Sequence, residues 1–349
     1  MNRKKTKIIN VGNVQIGGLN PISVQSMTNT ITKDVISTIS QIKRLEEAGC
    51  NIIRSAITDI DDAKAISTIK KDINIPIIAD IQYDYRLALE SIKYGIDGLR
   101  LNPGNIGSLD KVKEVVKACK DSGISIRVGV NAGSLKQEFL DQYNGVNEDS
   151  MVYSALEQIR LLEDMGFDDI KISLKASNVN LTVKAYEKIS SLVNYPLHLG
   201  ITEAGPIWRG SIKSSVGIGT LLSMGIGDTI RISLTGDPVE EVKVGREILK
   251  SLDLLKEGIE IISCPTCGRT KIDLIKIVEE AEKRLEGINK NIKVAIMGCA
   301  VNGPGEAREA DIGIAGGNGE GLIFIKGEII RKVPEEDLLE ELLVEMEKL

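Results

Sequence analysis

Two hydrophobic rhythms alternate along the first 235 positions. Short β-branched runs read as strands: Ile22-Ser23-Val24-Gln25-Ser26, Cys50–Arg54, Pro76–Asp80, Ile96–Arg100, Ile124–Arg127, Ile170–Lys175, Pro196–Glu203 and Thr229–Ser233. Between them apolar residues return at the helical spacing, as Val35, Ile39, Ile42 and Leu45 do, and as do the stretches 151–162 and 239–254. Most of the strands follow a Gly at the end of a helical stretch (Gly49, Gly95, Gly123, Gly166, Gly225), the usual left-handed helix cap, and two follow Pro instead. Strand–helix alternation predicts a parallel sheet, and eight repeats fit a closed (β/α)8 barrel of the TIM type. An open doubly wound sheet is the runner-up, but no Gly-x-Gly-x-x-Gly follows the first strand. Ahead of the repeats, 7–18 reads as a hairpin placed to plug the barrel floor. From about Glu257 the rhythm changes. Strands are expected at 259–262, 293–297, 311–315 and 322–325, with a helix over 272–285 and a charged terminal helix. The expected organisation is therefore α/β, with a barrel over 1–256 and a small α+β domain over 257–349.

Composition narrows the class. Aromatic residues make up only 3% of the chain, which suits Ile-rich cores of parallel strands. The formal charge of -6 argues against a general nucleic-acid binder. No apolar run approaches a membrane span, and the N-terminus has none long enough for a signal peptide, so a cytoplasmic protein is expected. Five cysteines, an odd number, fit reduced thiols better than a disulfide framework. Cys50 and Cys119 sit in apolar contexts and read as core.

The strand ends carry the chemistry. Active sites of such barrels occupy the C-terminal ends of the strands. Here those ends offer Arg54, Asp80, Arg100 with Asn102, Arg127 with Asn131, Lys175, His198 with Glu203, and Arg231 with Ser233. Five basic groups from five strands converging on one mouth would repel one another unless an anion neutralised them. Arg suits bidentate phosphate contacts, and a few charge-assisted contacts of this kind could anchor a diphosphate. The Gly- and Ser-rich stretch 210–219 is read as a loop offering further backbone amides. Asp80 and Glu203 are candidates to polarise hydroxyls or move protons. His198, between Leu197 and Leu199, reads equally well as a hydrogen-bonded core residue and as a site residue.

A second constellation lies downstream. Cys264-Pro265-Thr266-Cys267 is followed, far along the chain, by Cys299-Ala300-Val301-Asn302-Gly303-Pro304-Gly305-Glu306. A structural zinc normally takes four Cys/His ligands, and no histidine is near. Three thiolates fit an iron–sulfur cluster better than zinc or a dithiol, with Glu306 the candidate fourth ligand.

These residues carry a resemblance. Leu197–Gly205, Ser263–Cys267 and Val301–Glu306 resemble the 4-hydroxy-3-methylbut-2-enyl diphosphate synthases of isoprenoid precursor biosynthesis, and the likeness runs along nearly the whole chain. It implies reductive ring opening of 2-C-methyl-D-erythritol 2,4-cyclodiphosphate. It also implies a [4Fe-4S] cluster on Cys264, Cys267, Cys299 and Glu306. Arg54, Arg100, Arg127, Lys175, Arg231 and Ser233 would grip the diphosphate. Asp80, Asn131, His198 and Glu203 would surround the carbon skeleton, with Glu203 the proton donor. Flavodoxin or ferredoxin would deliver the electrons. Pro206–Arg209 does not map onto the family pattern, and Arg209 is given no role.

Chain direction adds one expectation. Barrel helices run opposite to their strands, so the last one returns the chain to the floor, while the basic mouth faces the other way. A head-to-tail homodimer, each small domain covering the partner's barrel, resolves this, and the family resemblance implies the same arrangement. The rival readings are a non-redox iron–sulfur barrel dehydratase, an electron carrier or cluster scaffold, and a zinc-stabilised domain.

Overall fold

The computed structural model describes residues 3–285, 287–288, 290–299 and 307–349. They form two compact units, Met1–Leu255 and Lys256–Leu349. In the first, β1 (Ile9–Val11) and β2 (Val14–Ile16) make an antiparallel hairpin. Eight parallel strands follow: β3 (Ser23–Met27), β4 (Ile52–Ala56), β5 (Ile77–Asp80), β6 (Gly98–Arg100), β7 (Ser125–Asn131), β8 (Ile170–Lys175), β9 (His198–Leu199) and β10 (Thr229–Ile230). They pair in chain order, and β10 returns to β3. The ring closes between β8 and β9 through a single bridge, Ile172 to Leu197. The connections are α1 (Val35–Glu47), α2 (Ile60–Ile69), α3 (Tyr85–Lys93), α4 (Leu109–Ser122), α5 (Gln137–Gln142) with α6 (Glu148–Asp164), α7 (Val179–Leu192), α8 (Ile207–Ser223) and α9 (Pro238–Lys250).

Alternation along each strand decides what faces where. Val24, Ile53, Ile77, Leu99, Ile126, Ile170, Ile172, Leu199 and Ile230 point outward into the apolar layer beneath the helices. The opposite rows face the barrel axis. At the floor they are apolar, where Ile52 and Ile78 meet Ile9, Val11 and Ile16 of the hairpin. The hairpin is thus the plug, a dry seal of five buried aliphatics beneath a polar interior. Helices α1, α2, α3, α6, α7 and α9 open on Asp or Asn caps whose side chains accept first-turn amides, which fixes where each loop above the mouth ends.

Two expectations need correction. Residues 210–219 are not a loop, because they lie inside α8. Their amides are bonded within the helix and are not available to a ligand. The glycines serve packing: a Cβ at Gly210 would fall 2.5 Å from Leu234 Cδ2, and one at Gly217 would fall 2.6 Å from Ile201 Cδ1. The strand expected over 196–203 is only His198–Leu199, because the chain leaves the ladder at Gly200.

In the second unit β11 (Ile259–Ser263), β12 (Ile292–Met297) and β13 (Ile312–Gly316) are parallel, and β14 (Glu320–Ile325) and β15 (Glu328–Pro334) continue the sheet antiparallel. Helices α10 (Leu274–Leu285) and α11 (Leu338–Glu347) bury Leu274, Ala281, Leu285, Leu338 and Leu342 against Val294, Ile296, Ile312 and Ile314. The opposite face holds a small cluster of Ala295, Met297, Ala307, Ala310, Ala315 and Phe324. Strand β15 was not anticipated. It is an edge strand with mostly exposed residues, so it carries no buried apolar row to betray it. Among the described residues no helix is long and apolar enough to cross a membrane.

Candidate active site and candidate metal centre

The inward rows of the barrel place the predicted cations together. Arg54 on β4, Arg100 on β6, Arg127 on β7 and Lys175 on β8 are all buried, and Arg231, just past β10, is half-buried. Asp80, ending β5, is the acid among them. Its carboxylate accepts from Arg100 Nη1 at 3.2 Å and from Gln82 Nε2 at 3.2 Å, and Arg54 Nε lies 3.7 Å away. Arg54 also donates to Met27 Sδ at 2.8 Å. Arg231 reaches Glu241, buried at the start of α9, at 3.4 Å to each oxygen. Glu241 is itself held by Ser26 Oγ and by the amide of Leu234.

His198 is fully buried, and its Nε2 is 3.3 Å from Lys175 Nζ. Burial, then the neighbouring Lys175 and Arg127 charges, hold its pKa well below the ordinary imidazole value, so the ring is neutral. With Lys175 donating, Nε2 accepts and Nδ1 carries the hydrogen, which has no protein partner. Tyr186 of α7 fixes the strand beneath, its hydroxyl donating to His198 O and accepting the Leu174 amide.

Cation crowding shows in the acid–base properties. Burial above all, then neighbouring cations, hold Arg127 and Lys175 well below their ordinary values. Burial lowers Arg54 to about 10 despite the opposing pull of Asp80. Nε and Nη1 of Arg127 have no partner. A buried cation without partners is costly, and a bound anion removes the cost.

The remaining predicted residues take different places. Asn102 accepts the Gly129 amide through Oδ1 at 3.0 Å, tying the end of β6 to β7. Asn131 ends β7 and Ser233 lies two residues beyond Arg231, both half-buried. Glu203 is exposed on the loop after β9 with φ of 52°, a left-handed conformation unusual for a non-glycine residue and found at functional loops. Sequence reasoning missed Lys171, Gln25, Glu241 and Tyr186. Lys171 and Gln25 were readable, since every second residue of a barrel strand faces the interior. Glu241 and Tyr186 gave no local signal.

Two interior glycines make room for the cations. A Cβ at Gly200 would lie 2.7 Å from Arg231 O and 2.8 Å from Lys175 Nζ, and one at Gly129 would lie 3.3 Å from Arg100 Nε.

In the second unit, Cys264 and Cys299 follow the C-terminal ends of the paired strands β11 and β12. One residue links the thiols. The Gly298 amide donates to Cys264 Sγ at 3.2 Å, and Gly298 O accepts the Lys271 amide. Thr270 packs against Gly298, while its hydroxyl accepts the Cys267 amide at 3.1 Å. Gly298 immediately precedes Cys299. The Cys267 thiol is held below its ordinary value first by the Arg269 amide and then by the Arg269 side chain. All five cysteines are free, and burial pushes Cys50 and Cys119 up to about 12, the behaviour of inert core thiols. Among the described residues no three His, Cys, Asp or Glu side chains close into a metal cage. Glu306 and the 300–306 segment lie outside the described residues. Three free thiols anchored on one short backbone knot, one already accepting an N–H···S bond, are a donor set that fits a thiolate-bound centre.

Comparison with known proteins agrees with both halves. Residues 6–246 match the GcpE TIM-barrel domain, and residues 260–348 match the GcpE protein C-terminal domain. The chain belongs to the GcpE family. A relative from Clostridium perfringens is 63% identical over 98% of this chain and 98% of its own length. One from Caldanaerobacter subterraneus is 64% identical over 99% and 98%. Both are named 4-hydroxy-3-methylbut-2-en-1-yl diphosphate synthase (flavodoxin). The GcpE barrel also shares its fold with a dihydropteroate synthase from Stenotrophomonas maltophilia, at a TM-score of 0.51 with 11% identity over 67% of this chain and 93% of that one. That likeness concerns the fold alone.

Proposed function

We propose that this GcpE-family chain is an oxidoreductase that opens 2-C-methyl-D-erythritol 2,4-cyclodiphosphate reductively to 4-hydroxy-3-methylbut-2-enyl diphosphate. The observation that carries the reading is the barrel interior, where buried cations outnumber the acids and several of their donors have no protein partner. A cyclic diphosphate supplies the missing negative charge. Full-length relatives named for this reaction support the assignment.

Arg54, Arg100, Arg127, Lys175 and Arg231 bind the phosphoryl oxygens, with Ser233 and Asn102 at the rim. Asp80 holds Arg54 and Arg100 in place and orients a substrate hydroxyl. Neutral His198 offers its free Nδ1–H as a hydrogen-bond donor without adding charge, and Asn131 lines the same wall. The C3 hydroxyl leaves as water and needs a proton at its oxygen. Glu203, exposed at the mouth, delivers it. The C2–O bond breaks with its oxygen left on the opened diphosphate, two electrons from the reductant enter at C2, and departure of the protonated C3 hydroxyl as water leaves the C2–C3 double bond. Cys264, Cys267, Cys299 and Glu306 would hold a [4Fe-4S] cluster. Such a cluster supplies single electrons at low potential, received from flavodoxin or ferredoxin.

The proposal includes a head-to-tail homodimer. In a (β/α)8 barrel each helix turns back along its strand, and the second unit follows α9 in sequence. A Cys264→Ser chain mixed with a Glu203→Ala chain should then regain activity through heterodimers, and none should return if each chain works alone.

The test is anaerobic turnover of the cyclodiphosphate by cluster-loaded protein with dithionite and a viologen mediator. Product that requires reductant and disappears in Cys299→Ser supports the reading. Reductant-independent loss of water would favour a non-redox dehydratase, and no product from intact protein would overturn the substrate.

A further inference from the structure

One cation has no place in the mechanism above. Lys171 faces the barrel axis on β8 and is 1% exposed, and its Nζ has no partner. It stands four residues floorward of Lys175, about 13 Å along the strand. Its paired residue on β7 is Arg127, whose Nε and Nη1 are likewise without partners. The polar groups around this level are similarly unengaged. Both amide atoms of Gln25, Ser23 Oγ and Thr229 Oγ1 are buried without partners, and Ser23 and Thr229 are themselves register partners between β3 and β10. His198, the register partner of Thr229 on β9, adds the free Nδ1. Toward the floor the apolar plug follows. The interior therefore has a second polar level, beneath the ring at the mouth, rich in donors and lacking an acceptor of matching charge.

The charged groups facing Lys171 are Arg127 on β7, Arg54 on β4 and, toward the floor, Asp228, which is engaged by Thr6, Arg3 and the Leu197 amide. Lys175 and His198 stand on its mouthward side. Asp228 is the one acid in this set, and its oxygens are already occupied. A lysine used merely to fill space would cost more than a methionine at the same place, since the amine is desolvated and unpaired.

We propose that Lys171 and Arg127, with Ser23, Gln25 and Thr229, form an inner anion seat that receives the deeper phosphoryl group of the diphosphate. This rests on the diphosphate reading above and adds a residue and a depth to it. The mouth ring then holds the outer phosphoryl group, and the carbon skeleton stays near Glu203 and Asp80. Burial and the Arg127 and Arg54 charges keep the free Lys171 amine well below its ordinary value, so filling the seat draws a proton onto it.

The experiment is calorimetric titration of the intact cluster-loaded protein at pH 8 in two buffers of different ionisation enthalpy, with the cyclodiphosphate and with inorganic pyrophosphate as separate probes. Wild-type protein should take up protons on binding either. Lys171→Met should bind both about 10- to 100-fold more weakly, the loss of one charge-assisted contact, and should take up fewer protons. Lys171→Arg should recover affinity without recovering the proton uptake, because guanidinium is already charged. Unchanged affinity and uptake in Lys171→Met, with the same result in Lys171→Gln, would overturn the seat. Failure of the wild type to bind the cyclodiphosphate while pyrophosphate still binds, and binds more weakly to Lys171→Met, would sink the substrate reading and leave the seat standing. Circular dichroism and the visible spectrum check that each variant is folded and loaded.

Discussion

Replacing Asp80 by Asn is the sharpest perturbation of the barrel. The carboxylate sits 3.2 Å from Arg100 Nη1 and 3.7 Å from Arg54 Nε and is 5% exposed. At an effective dielectric of about 20, each pair is worth about 5 kcal/mol of raw attraction. Desolvation offsets much of that, and removing one partner of a buried pair costs about 3–5 kcal/mol net, because the other charge is left stranded. Here two guanidinium groups are stranded, in an interior that already holds Arg127, Lys171 and Lys175. The Asn amide preserves the shape and can still meet one neighbour, so about 3 kcal/mol is the expected loss. For a unit of this size that is a fall in melting temperature of about 6–12 °C. The loss should depend on anions. Pyrophosphate supplies the negative charge Asp80 supplied, so saturating pyrophosphate should stabilise Asp80→Asn by several degrees more than it stabilises the wild type. The assay is differential scanning fluorimetry of both proteins across a pyrophosphate series, with a neutral osmolyte as control. Equal melting without anion, or equal stabilisation of both proteins by pyrophosphate, would refute the claim that Asp80 holds part of a cation cluster that awaits an anion.

Three further outcomes follow from the same geometry. Glu203→Gly should relieve the left-handed backbone and stabilise the protein by about 1 kcal/mol in chemical denaturation while lowering turnover at least a hundredfold; a destabilised variant would remove the strain argument. Gly200→Ala places a methyl 2.8 Å from Lys175 Nζ and 2.7 Å from Arg231 O, so KM for the cyclodiphosphate should rise at least tenfold, measured by steady-state kinetics beside a melt; an unchanged KM would mean Lys175 is free to move aside. Finally, anion-free protein should lose stability as pH falls. The folded pKa values of Lys171, Lys175 and His198 are all depressed, by burial first. Between those values and the unfolded ones, about 10.4 for Lys and 6.5 for His, the unfolded chain binds more protons. Stability therefore rises with pH across that window, and denaturant titrations with pyrophosphate present should flatten the slope.

The barrel was legible because its signal is repetitive and local. Each strand announces itself by β-branched residues, and most of the preceding helices end in Gly, so eight repeats reinforced one another. The inward charges were legible for a related reason. Arg54, Asp80 and Arg100 stand at strand ends, where the sites of such barrels lie, and a strand whose outer face is covered by helices can place a charge only toward the axis. The same rule pointed to Lys171, since Lys171, Ser173 and Lys175 share one face of β8. It was passed over because the ends of strands, and not their middles, draw attention in this fold. What sequence hid was tertiary. Glu241 is an acid in a helical stretch with no partner in view along the chain, yet it is buried against Arg231, Ser26 and the Leu234 amide. Tyr186 lies in α7, and its value to the site is a hydroxyl wedged between two backbone groups of β8 and β9. The stretch 210–219 misled because glycine lowers helix propensity, whereas close packing of α8 on Ile201 and Leu234 demands residues without a Cβ.

The interior charge also explains why the plug is built as it is. Polar donors at the Lys171 level have no partners of their own, so water reaching them from below would satisfy them and weaken their pull on an anion. Ile9, Val11 and Ile16 meet Ile52 and Ile78 directly beneath that level, all five side chains nearly fully buried. The seal keeps the local dielectric low on one side, and the mouth is left as the route by which charge can enter. Electrostatic attraction inside such a pocket is stronger than at an open surface for the same number of contacts. The hairpin lies outside the ring of strands, yet it belongs to the affinity of the site. An Ile16→Ser chain that folds should hold pyrophosphate more weakly with every basic residue intact, and calorimetry beside a melt would separate that loss from simple destabilisation.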